Sequence, residues 1–229
     1  MLTQPQLEAS ETVANAAMNR SRGLLGVNSY QRELRLDIVA WLKERHAAGP
    51  GPKWLDLCCG EGRALEEAAE TLARLQGLRP EEQIVGVDLI EPRIRSAGFR
   101  FIRASVHAWE PEDQVDRFDL ITCVHGLHYI GDRLGLIERI ATWLRPGGLF
   151  LANFDATDIR NAEGAPLTRR LGSLFRHNGL EYNRRQHQIR LDGPRGIDFG
   201  LRFLGAKDDV GPNYTGQDGV WSVYGKAGD

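Results

Sequence analysis

Between Tyr30 and Arg45 the apolar residues Leu34, Ile38, Trp41 and Leu42 recur at helical spacing, and the run Ala48-Gly49-Pro50-Gly51-Pro52 stops the helix they predict. Past this linker the period shortens. Trp54 to Cys58 reads as a short buried strand, Gly60 to Gly62 as a tight turn, and Arg63 to Gln76 as a helix ended by Gly77. The unit then repeats: a strand from Gln83 to Asp88, a short helix from Glu91 to Gly98, and a strand from Phe99 to Ala104. A fourth strand is expected over Phe118 to Val124 and a helix over Leu134 to Leu144. A fifth strand, Leu149 to Phe154, follows the turn Arg145-Pro146-Gly147-Gly148. Such alternation predicts an α/β fold, a mostly parallel sheet with helices on both faces.

The rhythm changes after Asp155. Pro166 to His177 reads as one more helix, whereas Gln186 to Leu191 and Ile197 to Leu204, joined by Asp192-Gly193-Pro194-Arg195-Gly196, carry the signal of a hairpin. Val220 to Tyr224 is expected to be the last strand, after a connection from Lys207 to Gly219 that is long enough to suspect a function. One domain results, with residues 1–50 as a helical extension or lid, residues 51–229 carrying the sheet, and an antiparallel strand or hairpin at the C-terminal edge.

Composition narrows the partners. The 229 residues suffice for one α/β domain with its own core, and 29 basic residues nearly balance 31 acidic ones. No global field draws in nucleic acid or an anionic membrane, so a small-molecule partner is expected. Cys58, Cys59 and Cys123 all lie in stretches read as buried strand, which suits reduced thiols and a cytoplasmic location. No C-x-x-C or cysteine–histidine cluster completes a metal site, so no metal is expected. The start of the chain has no secretion-signal pattern, and no segment approaches 18 apolar residues.

The sharpest chemical signal is Trp54-Leu55-Asp56-Leu57-Cys58-Cys59-Gly60-Glu61-Gly62-Arg63, a strand that ends near an acid, turns through glycines and enters a helix. Glycines suit a turn that a ligand approaches closely. Leu65 stands where a dinucleotide fingerprint would place its third glycine, which weakens a pyrophosphate reading, and a plain tight connection is the alternative. Asp88, ending Val85-Gly86-Val87-Asp88, is placed either to accept the hydroxyls of a ribose or to cap the helix that follows. The two acids on neighbouring strands together favour the ligand.

From about Trp54 to Phe154 the chain resembles, motif by motif, the class I S-adenosylmethionine-dependent methyltransferases. The resemblance implies a Rossmann-like sheet of seven strands and S-adenosyl-L-methionine as cofactor. Its first motif matches Asp56-Leu57-Cys58-Cys59-Gly60-Glu61-Gly62, so Asp56, Cys58, Gly60 and Gly62 would pack around the methionine and ribose parts. Cys58 replaces the family's first glycine, as in the D-x-C-C-G form of menaquinone and ubiquinone methyltransferases. Asp88 would hold the ribose, with Leu89 beside the adenine. Where the family offers an acid to the adenine amine this chain has Ser105, so Ser105 or the backbone of Val106 would make that contact. Phe118 to Tyr129 is similar to the family's fourth-strand exit, which puts Val124 at the cofactor, and Arg145-Pro146-Gly147-Gly148 resembles the turn before its fifth strand.

Methyl transfer is an in-line displacement, and a base is needed only when the acceptor must lose a proton. His125, where the fourth strand exits, is the candidate base, a cofactor contact or a polar strand-end residue being its other readings, with His128 as its competitor and also a candidate structural histidine. Sheet topology places Asp155 near the acceptor, and the resemblance implies that Asn213 and Tyr214 reach the same end, with His128 as a further candidate there. The resemblance also implies a lid over Met18 to Tyr30, offering Arg22 or Tyr30 to the methionine carboxylate, with a solvent-facing segment as the alternative. An RNA or protein methyltransferase is the first alternative, and a non-catalytic S-adenosylmethionine-binding protein the second.

Overall fold

The computed structural model describes residues 1–14, 21–49, 51–91, 98–112 and 117–227. At its centre lie five parallel strands: β1 (Trp54–Leu57), β2 (Ile84–Asp88), β3 (Arg100–Arg103), β4 (Phe118–Cys123) and β5 (Leu144–Asn153). β6 (Ile159–Asn161) leaves this sheet, and β7 (Glu181–Asn183) and β8 (Gln188–Asp192) rejoin it to give the order β3-β2-β1-β4-β5-β8-β7. β8 runs antiparallel to both β5 and β7. This is the mostly parallel, seven-stranded Rossmann-like sheet with an antiparallel edge that the sequence implied. Strand order reverses beside β1, so a crevice opens where the carboxyl ends of β1 and β4 diverge.

Strand alternation supplies a core on each face. Leu55 and Leu57 of β1 pack with Ile121 and Cys123 of β4 on one face, against α7 (Arg133–Trp143). Trp54 packs with Leu120 on the other, against α4 (Ile38–Ala48) and α5 (Arg63–Leu72). α5 buries Ala64, Leu65, Ala68, Ala69 and Leu72, a single stripe at helical spacing.

Three expectations are corrected. The helix over Tyr30 to Arg45 is two: Arg35 adopts φ 53, ending α3 (Tyr30–Leu34), and the Asp37 carboxylate accepts the Ala40 N–H at 2.9 Å to start α4. The apolar stripe survives the break because Leu34, Ile38 and Leu42 all stay buried. The Asp192–Gly196 turn does not close a hairpin. The Gly193 and Arg195 N–H groups instead donate to the carbonyls of Gly148 and Ala141, laying the segment along the main sheet and α7. The real hairpin is β7–β8, turned by the Asn183 side chain, whose Oδ1 accepts the N–H groups of Arg185 and Gln186. The strand after it, β9 (Leu201–Lys207), pairs antiparallel with β10 (Trp221–Lys226), and β10 pairs parallel with β6, making a second sheet of three strands. The expected helix over Glu91 to Gly98 lies largely outside the described residues, as do residues 18–20 of the expected lid.

The first residues belong to this second sheet. Leu2 exchanges both backbone hydrogen bonds with Ala206 of β9, at 2.7 and 2.9 Å. α1 (Gln4–Glu8) and α2 (Glu11–Ala14) follow, and Leu7 is fully buried against Ala206 and Val220. Among the described residues no helix is long and apolar enough to cross a membrane.

Candidate active site

A cleft opens at the carboxyl ends of β1, β2 and β4. Its floor is the turn after β1, where Cys58 (φ 57) and Gly60 (φ 59) both take left-handed backbone conformations. Such a conformation costs a side-chain-bearing residue about 1–2 kcal/mol, which is why glycine is the easier choice at position 58. Room for the cysteine comes from Gly126, where a Cβ would fall 2.3 Å from that of Cys58. A hydrogen bond to Cys123, together with burial, pushes the Cys58 thiol well above its ordinary range, so it faces the cleft uncharged.

Asp88 ends β2 beside this turn. Its two oxygens accept the N–H groups of Gly60 at 2.9 Å and Ile90 at 3.0 Å, which fixes the carboxylate at the lip of the cleft. Leu89, Val106 and Val124 join it on the lining.

Four residues expected at the cofactor are positioned otherwise. Asp56 is fully buried behind the turn. Its oxygens accept the hydroxyls of Thr122 at 2.5 Å and Tyr30 at 2.6 Å, and burial outweighs both bonds to push its carboxyl up to about 7. Tyr30 therefore spends its only hydroxyl proton on Asp56 and is not presented to a methionine carboxylate. Gly62 lies off the cleft: a Cβ there would meet the Phe99 ring at 2.3 Å, so packing rather than ligand approach requires the glycine. Ser105 gives its hydroxyl to Glu8 of α1 at 2.5 Å. Glu8, Gln4 and Val13 form a wall of the cleft that the sequence did not reveal.

His125 marks the other end of the cleft. It has φ 57, and its backbone N–H donates to Asn153 Oδ1 at 3.2 Å. Nε2 lies 3.1 Å from Glu33 Oε2, and Nδ1 lies 3.5 Å from the Tyr214 hydroxyl. Glu33 in turn takes Arg22 Nη1 at 3.1 Å, which holds Arg22 at this end of the site. The hydrogen bond from His125 leads the causes that hold the Glu33 carboxyl below its ordinary value. Burial raises the Tyr214 phenol, so it stays protonated and can donate.

Tyr214 stacks on His187 with ring centroids 3.8 Å apart, and Asp155 Oδ2 lies 3.8 Å from His187 Nδ1. His128 meets Tyr214 edge-on at 5.2 Å, and burial with nearby Arg133 holds its imidazole well below the ordinary value, in the neutral form. Asn213, next in the chain to Tyr214, uses Oδ1 to order Thr215. The expected His125, His128, Asp155 and Tyr214 are thus gathered, and Glu33, Asn153 and His187 are added to them. Arg133, fully buried, ties the group to the second sheet through Asp158 at 3.2 Å and the carbonyls of His128 and Val220.

A family described as methyltransferase domain matches residues 30–195, and the chain belongs to that family. The ubiquinone biosynthesis O-methyltransferase of Xanthomonas campestris pv. campestris (strain B100) is 32% identical over 133 residues, covering 54% of this chain and 50% of that protein. The protein of the same name from Aeromonas salmonicida is 28% identical over 117 residues, covering 50% and 47%. The chain therefore spans about half the length of the curated relatives it matches. Among solved structures, an S-adenosylmethionine-dependent methyltransferase from Mesorhizobium loti aligns with a TM-score of 0.37 at 20% identity, covering 74% of this chain and 84% of the other.

Proposed function

We propose that this domain binds S-adenosylmethionine in the cleft and directs its methyl group to a small-molecule acceptor at the His125 end. The observation that carries the reading is that one cleft joins a fixed carboxylate beside a left-handed backbone turn to a histidine backed by its own carboxylate. The residues fit the cofactor. Asp88 can accept ribose hydroxyls, Gly60 lets the ligand approach the backbone, and Leu89 and Val106 give an apolar wall for a purine.

When bound, S-adenosylmethionine would supply a methyl carbon that the acceptor's lone pair bonds as the carbon–sulfur bond breaks, its electron pair staying on sulfur. The chain's own groups hold and orient. With Nε2–H of His125 donating to Glu33, the Nδ1 lone pair is left for a proton, now offered by Tyr214 and, in the reaction, by the acceptor. Glu33 balances the charge that His125 then carries. The neutral Cys58 thiol does not compete as an acceptor.

A net charge of -2 favours a small molecule over nucleic acid, and a cytoplasmic setting suits the free thiols. Residues 1–50 serve as an extension of a single domain, lending the cleft Gln4 and Glu8 and the acceptor end Glu33.

Calorimetric titration with S-adenosylmethionine, S-adenosylhomocysteine and NAD tests the reading. Adenosyl binding is expected, and Asp88→Ala should weaken it about 100-fold or more, the loss of two charge-assisted hydrogen bonds. A chain that binds neither adenosyl compound is not this enzyme.

A further inference from the structure

The backbone sets an apolar slot beside Asp88. The Ala104 N–H donates to the Asp88 carbonyl at 3.0 Å, which brings Ser105 and Val106 alongside Leu89 and Ile90. Leu89, Ile90 and Val106 line the cleft there, and Glu8 enters the same lining from α1. Its placement is fixed from several sides. Glu8 Oε1 accepts the Ser105 hydroxyl at 2.5 Å and the Gln4 Nε2–H at 2.8 Å, while Gln4 Oε1 accepts the Gly131 N–H at 2.8 Å. Both bonds to Glu8 fall on one oxygen, and Oε2 has no partner among the described residues.

We infer that Glu8 is the specificity-determining residue of the cofactor cleft, with Oε2 accepting a hydrogen bond from the exocyclic amine of the adenine. This rests on the cofactor reading above. A carboxylate only accepts, so at the rim of an apolar slot it selects a ligand edge that donates. With the ribose at Asp88 the base enters the slot of Leu89, Ile90 and Val106, and the donor on its edge is the amine. A purine with an oxo group in that place would set oxygen against oxygen, and a site built to bond a donor rejects an analogue that lacks it. Ser105 is then a positioning residue: its hydroxyl occupies Oε1 and leaves Oε2 for the ligand.

The test is calorimetric titration of the full chain with S-adenosylhomocysteine and with S-inosylhomocysteine, in which the amine is replaced by an oxo group. The unsubstituted chain should prefer the adenosyl ligand at least about tenfold. A glutamine can both donate and accept, so Glu8→Gln should cut adenosyl affinity about tenfold and bring the two ligands within about threefold of each other. Adding Ser105→Asp to Glu8→Gln should restore the preference by returning a carboxylate to the slot. Ser105→Ala, which leaves α1 unaltered, should narrow the preference by a smaller factor, and thermal unfolding verifies that each variant is folded. Intact adenosyl binding with an unchanged preference in Glu8→Gln overturns this inference alone. Failure of the unsubstituted chain to bind either ligand overturns the cofactor reading and this inference with it.

Discussion

The two ends of the cleft are built by opposite means. The end proposed for the cofactor centres on backbone: a left-handed turn at Cys58 and Gly60 and one carboxylate, Asp88, pinned by two N–H groups, with apolar walls beside them. The end proposed for the acceptor is made of side chains drawn from distant places, with Glu33, His125, Asn153, His187 and Tyr214 meeting through rings and charges. Backbone geometry suits a ligand that does not change. Side chains from separate loops can be exchanged one at a time, which is where an acceptor would be chosen.

Stability against pH probes the buried support behind the turn most strongly. Burial raises the Asp56 carboxyl from 3.8 to about 7, so the native state holds that proton more tightly than the unfolded chain does. Its contribution to stability is therefore present below about pH 4 and lost as pH rises to about 7, by up to about 4 kcal/mol. Urea unfolding of the native chain and of Asp56→Asn, compared across this window, should show the native chain losing ground as pH rises; parallel curves would mean the acid is not held in this way.

Removing the histidine should affect only the far end. His125→Ala is expected to lower kcat about 100-fold while the affinity for S-adenosylhomocysteine stays within about threefold. Equal loss of both would make His125 a cofactor contact. Smaller again is the effect of its partner: Glu33→Gln keeps an acceptor for Nε2–H but removes the balancing charge, and should cost about tenfold in kcat with KM nearly unchanged. A rise in KM at constant kcat would instead assign Glu33 to substrate binding.

The same contrast decided what the sequence disclosed. The central strands were legible because they are short, mostly apolar stretches bounded by turn residues, as in Trp54–Leu57 and Ile84–Asp88, and the glycine turn and Asp88 lie within a stretch of continuous chain. Asp56 was read as part of that ligand motif because periodicity does not tell which face of a strand has a hydrogen-bonding partner, here Tyr30 and Thr122. The β7–β8 turn carries no glycine and relies on the Asn183 side chain, so the glycine-rich Asp192–Gly196 run won the hairpin reading. Glu8 and Glu33 sit on helices of five residues each, too short to show a period, and their roles depend on partners about 90 residues away.

The pairing of Leu2 with Ala206 also orders events in time. The wall that carries Gln4 and Glu8 leaves the ribosome well before its anchor on β9, which is synthesised about two hundred residues later. At the usual pace of translation that delay is about ten to forty seconds. Through that interval the central strands can assemble while the cleft stays open on one side, and loop closure over so long a separation makes this contact a late one. The cleft acquires its Glu8 wall only after β9 has been made.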